Sequence, residues 1–277
     1  MPALIAVGLV VLALGATGSA SAQQTVDTQF TSRSLGGALH FRVYLPDGYA
    51  TSGLRYPVVY LLHGLPAGGD GYRSIGFAAR ALARTGRPAI LVTPQGARTG
   101  DSDPEYLDHG GSRNWETAIA TELPRIVDAR YRTIASRDGR ALVGLSAGGY
   151  GAMHLGLEHL GSFSVVESWS GYFHPTNPAG TAPLDLGSKS DNDAANVHSQ
   201  TKRVLASLRR LPTLIAFYVG RADTRFAAEN ELLNQELSRE GVDHVFRMYE
   251  GGHEQSLWSR YAASWLTLAL AHLAPAR

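Results

Sequence analysis

The sequence predicts an α/β fold, a mostly parallel central sheet covered by helices on both faces. Apolar, β-branched runs alternate with helical patterns along the chain. Several runs are continuously hydrophobic, as strands buried on both faces must be. Finally, Gly144-Leu145-Ser146-Ala147-Gly148 lies between a β-like run, Arg140 to Val143, and a small-residue helical run, Gly149 to His159. That is the strand, sharp turn and helix in which a G-x-S-x-G motif holds a serine hydroxyl out at the top of a sheet.

In chain order, the β-branched and apolar runs place strands at Leu39–Leu45, Val58–Leu62, Ala89–Thr93, Ala141–Leu145, Val165–Ser170, Leu214–Val219 and Val245–Tyr249. Helices are expected at Ser74–Arg84, Trp115–Tyr131, Gly148–His159, Val197–Leu208, Phe226–Glu240 and Leu257–Leu273. Pro124 should sit in, or kink, the first turns of its helix. In the last helix Trp258, Tyr261 and Trp265 share one face and should pack on the core. Two irregular stretches remain. Gln95–Asn114 is rich in Gly, Asp and Ser, and Gly171–Asn192 carries Pro175, Pro178 and Pro183; the second is expected to form a lid or an acyl-pocket wall. The acidic group Asp101, Asp103, Glu105 and Asp108 does not have EF-hand spacing and reads as a solvated loop.

Composition narrows the function. With 277 residues, 44% of them hydrophobic, the chain can bury the core of a single domain. A net charge of +1 provides no footprint for nucleic acid. The absence of cysteine excludes disulfides, a thiol nucleophile and thiolate metal sites. Ala3 to Ala16 is almost wholly apolar yet short for a membrane span, and Ala20-Ser21-Ala22 resembles a cleavage site. Residues 1–22 therefore read as a secretory signal peptide, and 23–277 as one exported domain with no stable membrane span after cleavage.

A serine hydroxyl needs a base within hydrogen-bond reach and a third group to orient that base. On sheets with this elbow the three follow in the order serine, acid, histidine. His154 and His159 fall on the elbow helix, His244 opens a strand and His272 ends the last helix, so they read as structural. His253 follows Gly251-Gly252 directly after a strand, at the carboxyl edge where reacting groups gather in open α/β sheets. The acid is expected at the end of the preceding strand, where Gly220-Arg221-Ala222-Asp223 offers Asp223, also a possible helix N-cap. Asp185, Asp191, Asp193 and Glu254 are weaker choices. For an oxyanion hole, Ala147 N–H opens the elbow helix and Leu65 N–H lies in the loop His63-Gly64-Leu65-Pro66 after an early strand. Such chemistry requires no cofactor and no metal. His253 must be neutral to act as base, so activity should fall on the acid side.

With these pieces assembled, the chain resembles the esterase family of α/β hydrolases, which includes S-formylglutathione hydrolases, feruloyl and acetylxylan esterases, enterochelin esterases and mycobacterial mycolyltransferases. The resemblance rests on Tyr56 to Gly64, Asn114-Trp115-Glu116-Thr117, Thr121 to Pro124, Gly144 to Gly151, Gly220 to Asp223, and Gly252-His253 with Trp258. It implies a Ser146, Asp223, His253 triad, an oxyanion hole at Leu65 and Ala147, and a small-molecule, glycan or lipid ester as substrate. Trp115 to Pro124 and His63-Gly64-Leu65 look most like the mycolyltransferase branch, which moves fatty acyl groups onto sugars. His63 and Pro66, however, stand where that branch places the acidic and basic residues used for trehalose. The expectation is a secreted esterase, with acyl transfer to a sugar or alcohol as the alternative and a non-catalytic carbohydrate- or matrix-binding shell as a third.

Overall fold

Eight strands form one sheet in the order β1-β2-β4-β3-β5-β6-β7-β8 in the computed structural model, which describes residues 24–101, 104–177 and 181–277. The strands are β1 Thr25–Ser32, β2 Gly37–Tyr44, β3 Val58–Leu62, β4 Ile90–Pro94, β5 Arg140–Leu145, β6 Val165–Trp169, β7 Leu214–Gly220 and β8 His244–Tyr249. From β4 to β8 every pairing is parallel, while β1 with β2 and β2 with β4 are antiparallel. The α/β-hydrolase fold expected from the sequence is therefore present. The signal-peptide segment lies outside the described residues. Among the described residues no helix is long and apolar enough to cross a membrane.

The helices are α1 Gly76–Arg84, α2 Trp115–Thr117, α3 Leu123–Arg130, α4 Ala147–Glu158, α5 Lys189–Ala195, α6 Val197–Arg210, α7 Ala227–Arg239 and α8 Gln255–Ala271. The sheet divides their packing by parity. Val59 and Leu61 of β3 face a core shared with α1 and α8, whereas Val58, Tyr60 and Leu62 face the opposite core, which includes α3 and α4. Central strands β3, β4, β5 and β6 are buried at nearly every position, which explains why their sequences are unbroken apolar runs.

Two elements were not expected from sequence. β1 is polar at most positions and largely exposed, the pattern of an edge strand, so no hydrophobic run marks it. α5 begins inside the stretch read as irregular and runs past its end. Its start is set by Ser188, whose hydroxyl accepts from Asp191 N at 3.0 Å. The helix expected over Trp115–Tyr131 is continuous but contains a wide turn at Ala118–Glu122 immediately before Pro124. Proline cannot donate to the carbonyl four residues back and would collide with it, and the wider turn relieves both conflicts.

The acidic-loop reading requires correction at Glu105. Its residue is fully buried, and its carboxylate accepts from Tyr172 Oη at 2.7 Å, Thr176 N at 3.0 Å and Thr176 Oγ1 at 2.9 Å. Asp101 is engaged by Arg98, Asp108 by Thr117, and Asp103 lies outside the described residues. Glu105 thus joins the two irregular stretches. A second tie binds His174 Nδ1 to Glu229 Oε1 on α7 at 2.5 Å, and Val197 N donates to Phe173 O at 2.8 Å. The beginning of the 171–192 segment is consequently anchored from three sides; Pro178 lies outside the described residues.

One buried acid lies within the sheet. Glu167 of β6 is fully buried and accepts from Trp169 Nε1 at 3.1 Å, with Tyr218 Oη 3.4 Å away. Burial pushes its pKa from 4.5 up to about 8. Because the folded value lies above the unfolded one, the protonated form stabilises the fold at low pH, and that stability is lost as pH rises from about 4.5 through about 8. Glu167→Gln keeps the shape and an acceptor but cannot ionise. Urea unfolding at pH 5 and pH 9 should show wild type losing on the order of a few kcal/mol more than the variant between the two. Equal losses would show that Glu167 does not remain protonated in the core.

Candidate active site

The elbow results from tight packing around Ser146. The serine has φ 56° and ψ −119°, a conformation costly for any residue with a side chain. It is maintained by close approach on both sides. A Cβ on Gly144 would lie 1.7 Å from Gly148 O, and one on Gly148 would lie 2.2 Å from Leu62 O. Only glycine fits at either position. Ser146 N donates to Trp169 O at 2.9 Å, which fixes the turn to the end of β6.

The acid and the base come from adjacent strand ends. The turn after β7 presses on the loop after β8 so closely that a Cβ on Gly220 would meet Gly251 O at 2.4 Å. Ala222 N donates to Gly251 O at 2.9 Å, and Gly251 itself has φ 122°. This contact brings Asp223 and His253 together. His253 Nδ1 lies 2.8 Å from Asp223 Oδ2, and His253 Nε2 lies 2.9 Å from Ser146 Oγ. A carboxylate can only accept here, so Nδ1 carries the proton and Nε2 presents its lone pair to the serine hydroxyl. The other Asp223 oxygen accepts from Arg225 N at 3.3 Å, and α7 begins only at Ala227, so the aspartate does not cap that helix. Asp185 and Asp191 are engaged with Asn192 and Ser188, Asp193 with Lys189, and Glu254 with Gly252 N.

The loop that carries Leu65 and the first turn of α4 both adjoin Ser146. A Cβ on Gly64 would lie 2.9 Å from both Leu145 O and Ser146 Cβ, so the loop after β3 abuts the elbow. Ala147 is the first residue of α4, where a helix leaves its amide hydrogens without intrahelical acceptors. Leu65 packs against the cluster that contains Ala147, Tyr150, Tyr172 and Phe226. His63 braces this loop. Its Nδ1–H donates to Gly64 O at 2.8 Å, its Nε2 accepts from Gly96 N at 3.0 Å, and its carbonyl accepts from Tyr106 Oη at 2.6 Å. Burial lowers its pKa, so the ring is neutral with both nitrogens engaged. The four histidines read as structural are tied elsewhere: His154 and His159 to Glu116, His244 to Asn234, and His272 to Leu268 O.

Sequence reading missed the aromatic walls of the site. Phe226 and Trp258 each meet the His253 ring edge-on, with centroids at 5.3 and 5.1 Å. Trp258 Nε1 donates to Ser170 Oγ at 3.0 Å, and Ser170 has a positive φ of 51°. Trp265 is buried in the core as expected, but Trp258, on the same helical stripe, reaches the histidine. Its i, i+3, i+7 spacing with Tyr261 and Trp265 gave no sign of that difference. A cavity of about 850 Å³ lies at the opposite, amino edge of the sheet, lined by Arg137, Ser164, Leu214 and His244 among others, far from this chemistry.

Comparison with known proteins agrees with this architecture. The Esterase family model matches residues 32–262. The chain is 30% identical over 250 residues to an esterase of Mycobacterium tuberculosis strain H37Rv, covering 81% of this chain and 54% of that protein. It thus spans about half the length of the curated relatives it matches. It is 29% identical over 145 residues to a diacylglycerol acyltransferase/mycolyltransferase of Mycobacterium leprae, covering 50% of this chain and 43% of that one. A solved ferulic acid esterase superposes with a TM-score of 0.77 at 24% identity, covering 91% of this chain and 98% of the other. A family match across most of the sequence and a shared fold lead to one conclusion: the chain belongs to the Esterase family.

Proposed function

We propose that this chain is a serine carboxylic ester hydrolase acting through an acyl-serine intermediate, with Ser146 as nucleophile, His253 as base and Asp223 as the acid that orients it. The observation that carries this reading is the hydrogen-bonded series Ser146 Oγ to His253 Nε2 at 2.9 Å and His253 Nδ1 to Asp223 Oδ2 at 2.8 Å. Ser146 Oγ attacks the ester carbonyl as His253 takes its proton, and Asp223 stabilises the imidazolium. Leu65 N–H and Ala147 N–H receive the negative charge on the carbonyl oxygen. Each such donor contributes about 2.7–4 kcal/mol of transition-state stabilisation. Collapse breaks the C–O bond, and His253 returns the proton to the departing alcohol. Water, activated by the same imidazole, then releases the acid.

The similarity to a mycolyltransferase favours one second reading, in which an alcohol or sugar replaces water in the last step. The apolar leader and the small-residue site at Ala20-Ser21-Ala22 support export of the domain. A fluorophosphonate probe is expected to label the wild-type protein one-to-one at Ser146. Product analysis of a p-nitrophenyl ester reaction with and without added glycerol or trehalose then separates hydrolysis from transfer. Absence of labelling would remove Ser146 as an activated nucleophile and favour the non-catalytic shell.

A further inference from the structure

We propose that Arg225 makes the site selective for esters carrying a carboxylate or phosphate near the scissile bond, an inference that rests on the hydrolase reading and names its substrate class. Arg225 follows the triad acid by two residues, and its own N–H donates to Asp223 Oδ1 at 3.3 Å, which fixes the base of the side chain. The residue is exposed, and its guanidinium carbon lies 4.9 Å from the centroid of the Phe226 ring. That same ring meets His253 edge-on at 5.3 Å. One aromatic side chain therefore separates a cation from the histidine that works on the ester.

The charge is available. Among the described residues Arg225 has no acid within ion-pairing distance, whereas the neighbouring Arg221 lies 3.6 Å from Glu250 and the Glu254 carboxylate accepts from Gly252 N at 3.3 Å. The cation–π contact with Phe226 restricts the guanidinium, a group whose N–H fork suits the planar, two-point recognition that carboxylates and phosphates offer. The reacting centre itself becomes negative as the oxyanion forms, and an exposed cation one ring away from His253 also raises the local concentration of anionic substrates. Tyr172 packs on Phe226 with centroids 5.0 Å apart, and both are buried, so the ring that carries the guanidinium is held in the core.

Matched ester pairs test this. On the leaving side, 4-acetoxybenzoate and 4-acetoxyphenyl phosphate are compared with methyl 4-acetoxybenzoate. On the acyl side, mono-p-nitrophenyl adipate is compared with p-nitrophenyl butyrate. The quantity read is the anionic-to-neutral ratio of kcat/KM in wild type, Arg225→Lys, Arg225→Gln and Arg225→Glu. In at least one pair the ratio should fall about 5- to 10-fold in Arg225→Gln, fall further in Arg225→Glu and be partly kept in Arg225→Lys, and the wild-type advantage should shrink in 0.5 M salt. The carboxylate and phosphate arms show which anion is preferred. General damage to the Phe226 wall would lower both members of a pair and leave the ratio alone. Ratios unchanged by Arg225→Glu in every pair would overturn the proposal while leaving the hydrolase reading intact. A wild-type protein that turns over none of the esters and takes no fluorophosphonate label would overturn both.

Discussion

Ser146→Ala is expected to lower kcat/KM for a short-chain p-nitrophenyl ester by about 10⁴-fold or more and to abolish fluorophosphonate labelling. The size of the loss follows from the arrangement. With the hydroxyl gone, His253 has no proton to accept and no acyl-enzyme can form, so what remains is binding plus the Leu65 and Ala147 donors acting on attack by water. The fold should survive, since the strained turn is fixed by the Ser146 N to Trp169 O bond and by Gly144 and Gly148, none of which involves the hydroxyl. Circular dichroism and urea unfolding of the variant separate loss of chemistry from loss of structure. A folded Ser146→Ala protein retaining more than a tenth of wild-type turnover would eliminate the proposed nucleophile.

Asp223→Asn is expected to be nearly as damaging, at about 10⁴-fold in kcat, with KM little changed. An asparagine fits the same space but can present an N–H to His253 Nδ1. The imidazole then accepts there and carries its proton on Nε2, which faces Ser146 Oγ at 2.9 Å and can no longer take a proton from it. Steady-state kinetics on the same ester provide the measurement. A loss below tenfold would show that a different group orients the base. The comparison also separates Asp223 from Asp185, Asp191 and Asp193, whose replacement leaves the His253 contact untouched.

Much of the site was legible before any coordinates. Gly144-x-Ser146-x-Gly148 between a β-run and a helix has one steric solution, and the fixed chain order of the three groups restricted the search for acid and base to two strand ends. The closeness of Gly64 to the elbow comes from β3 pairing beside β5, which the sequence does not state. Glu105 was misread because it sits among acids in a Gly-rich loop, where local composition indicates solvent. Burial against Tyr172 and Thr176 depends on a segment some seventy residues away. β1 was missed because an edge strand buries little and so needs no apolar run. The first part of the 171–192 segment, expected as a lid or an acyl-pocket wall, is tied down by Glu105 and Glu229; neither acid is close to it in the sequence.

Sequence alone determined which kind of sheet forms, where the candidate serine stands and which side chains are candidates to meet it, because strand burial and turn sterics are properties of short segments. Tertiary structure decided the rest. The hydrogen bonds from Ser146 to His253 and on to Asp223, and the aromatic flanks of the imidazole, all require separate segments to meet at one edge. Distances between segments are set by the packing of the whole core, which no local pattern encodes.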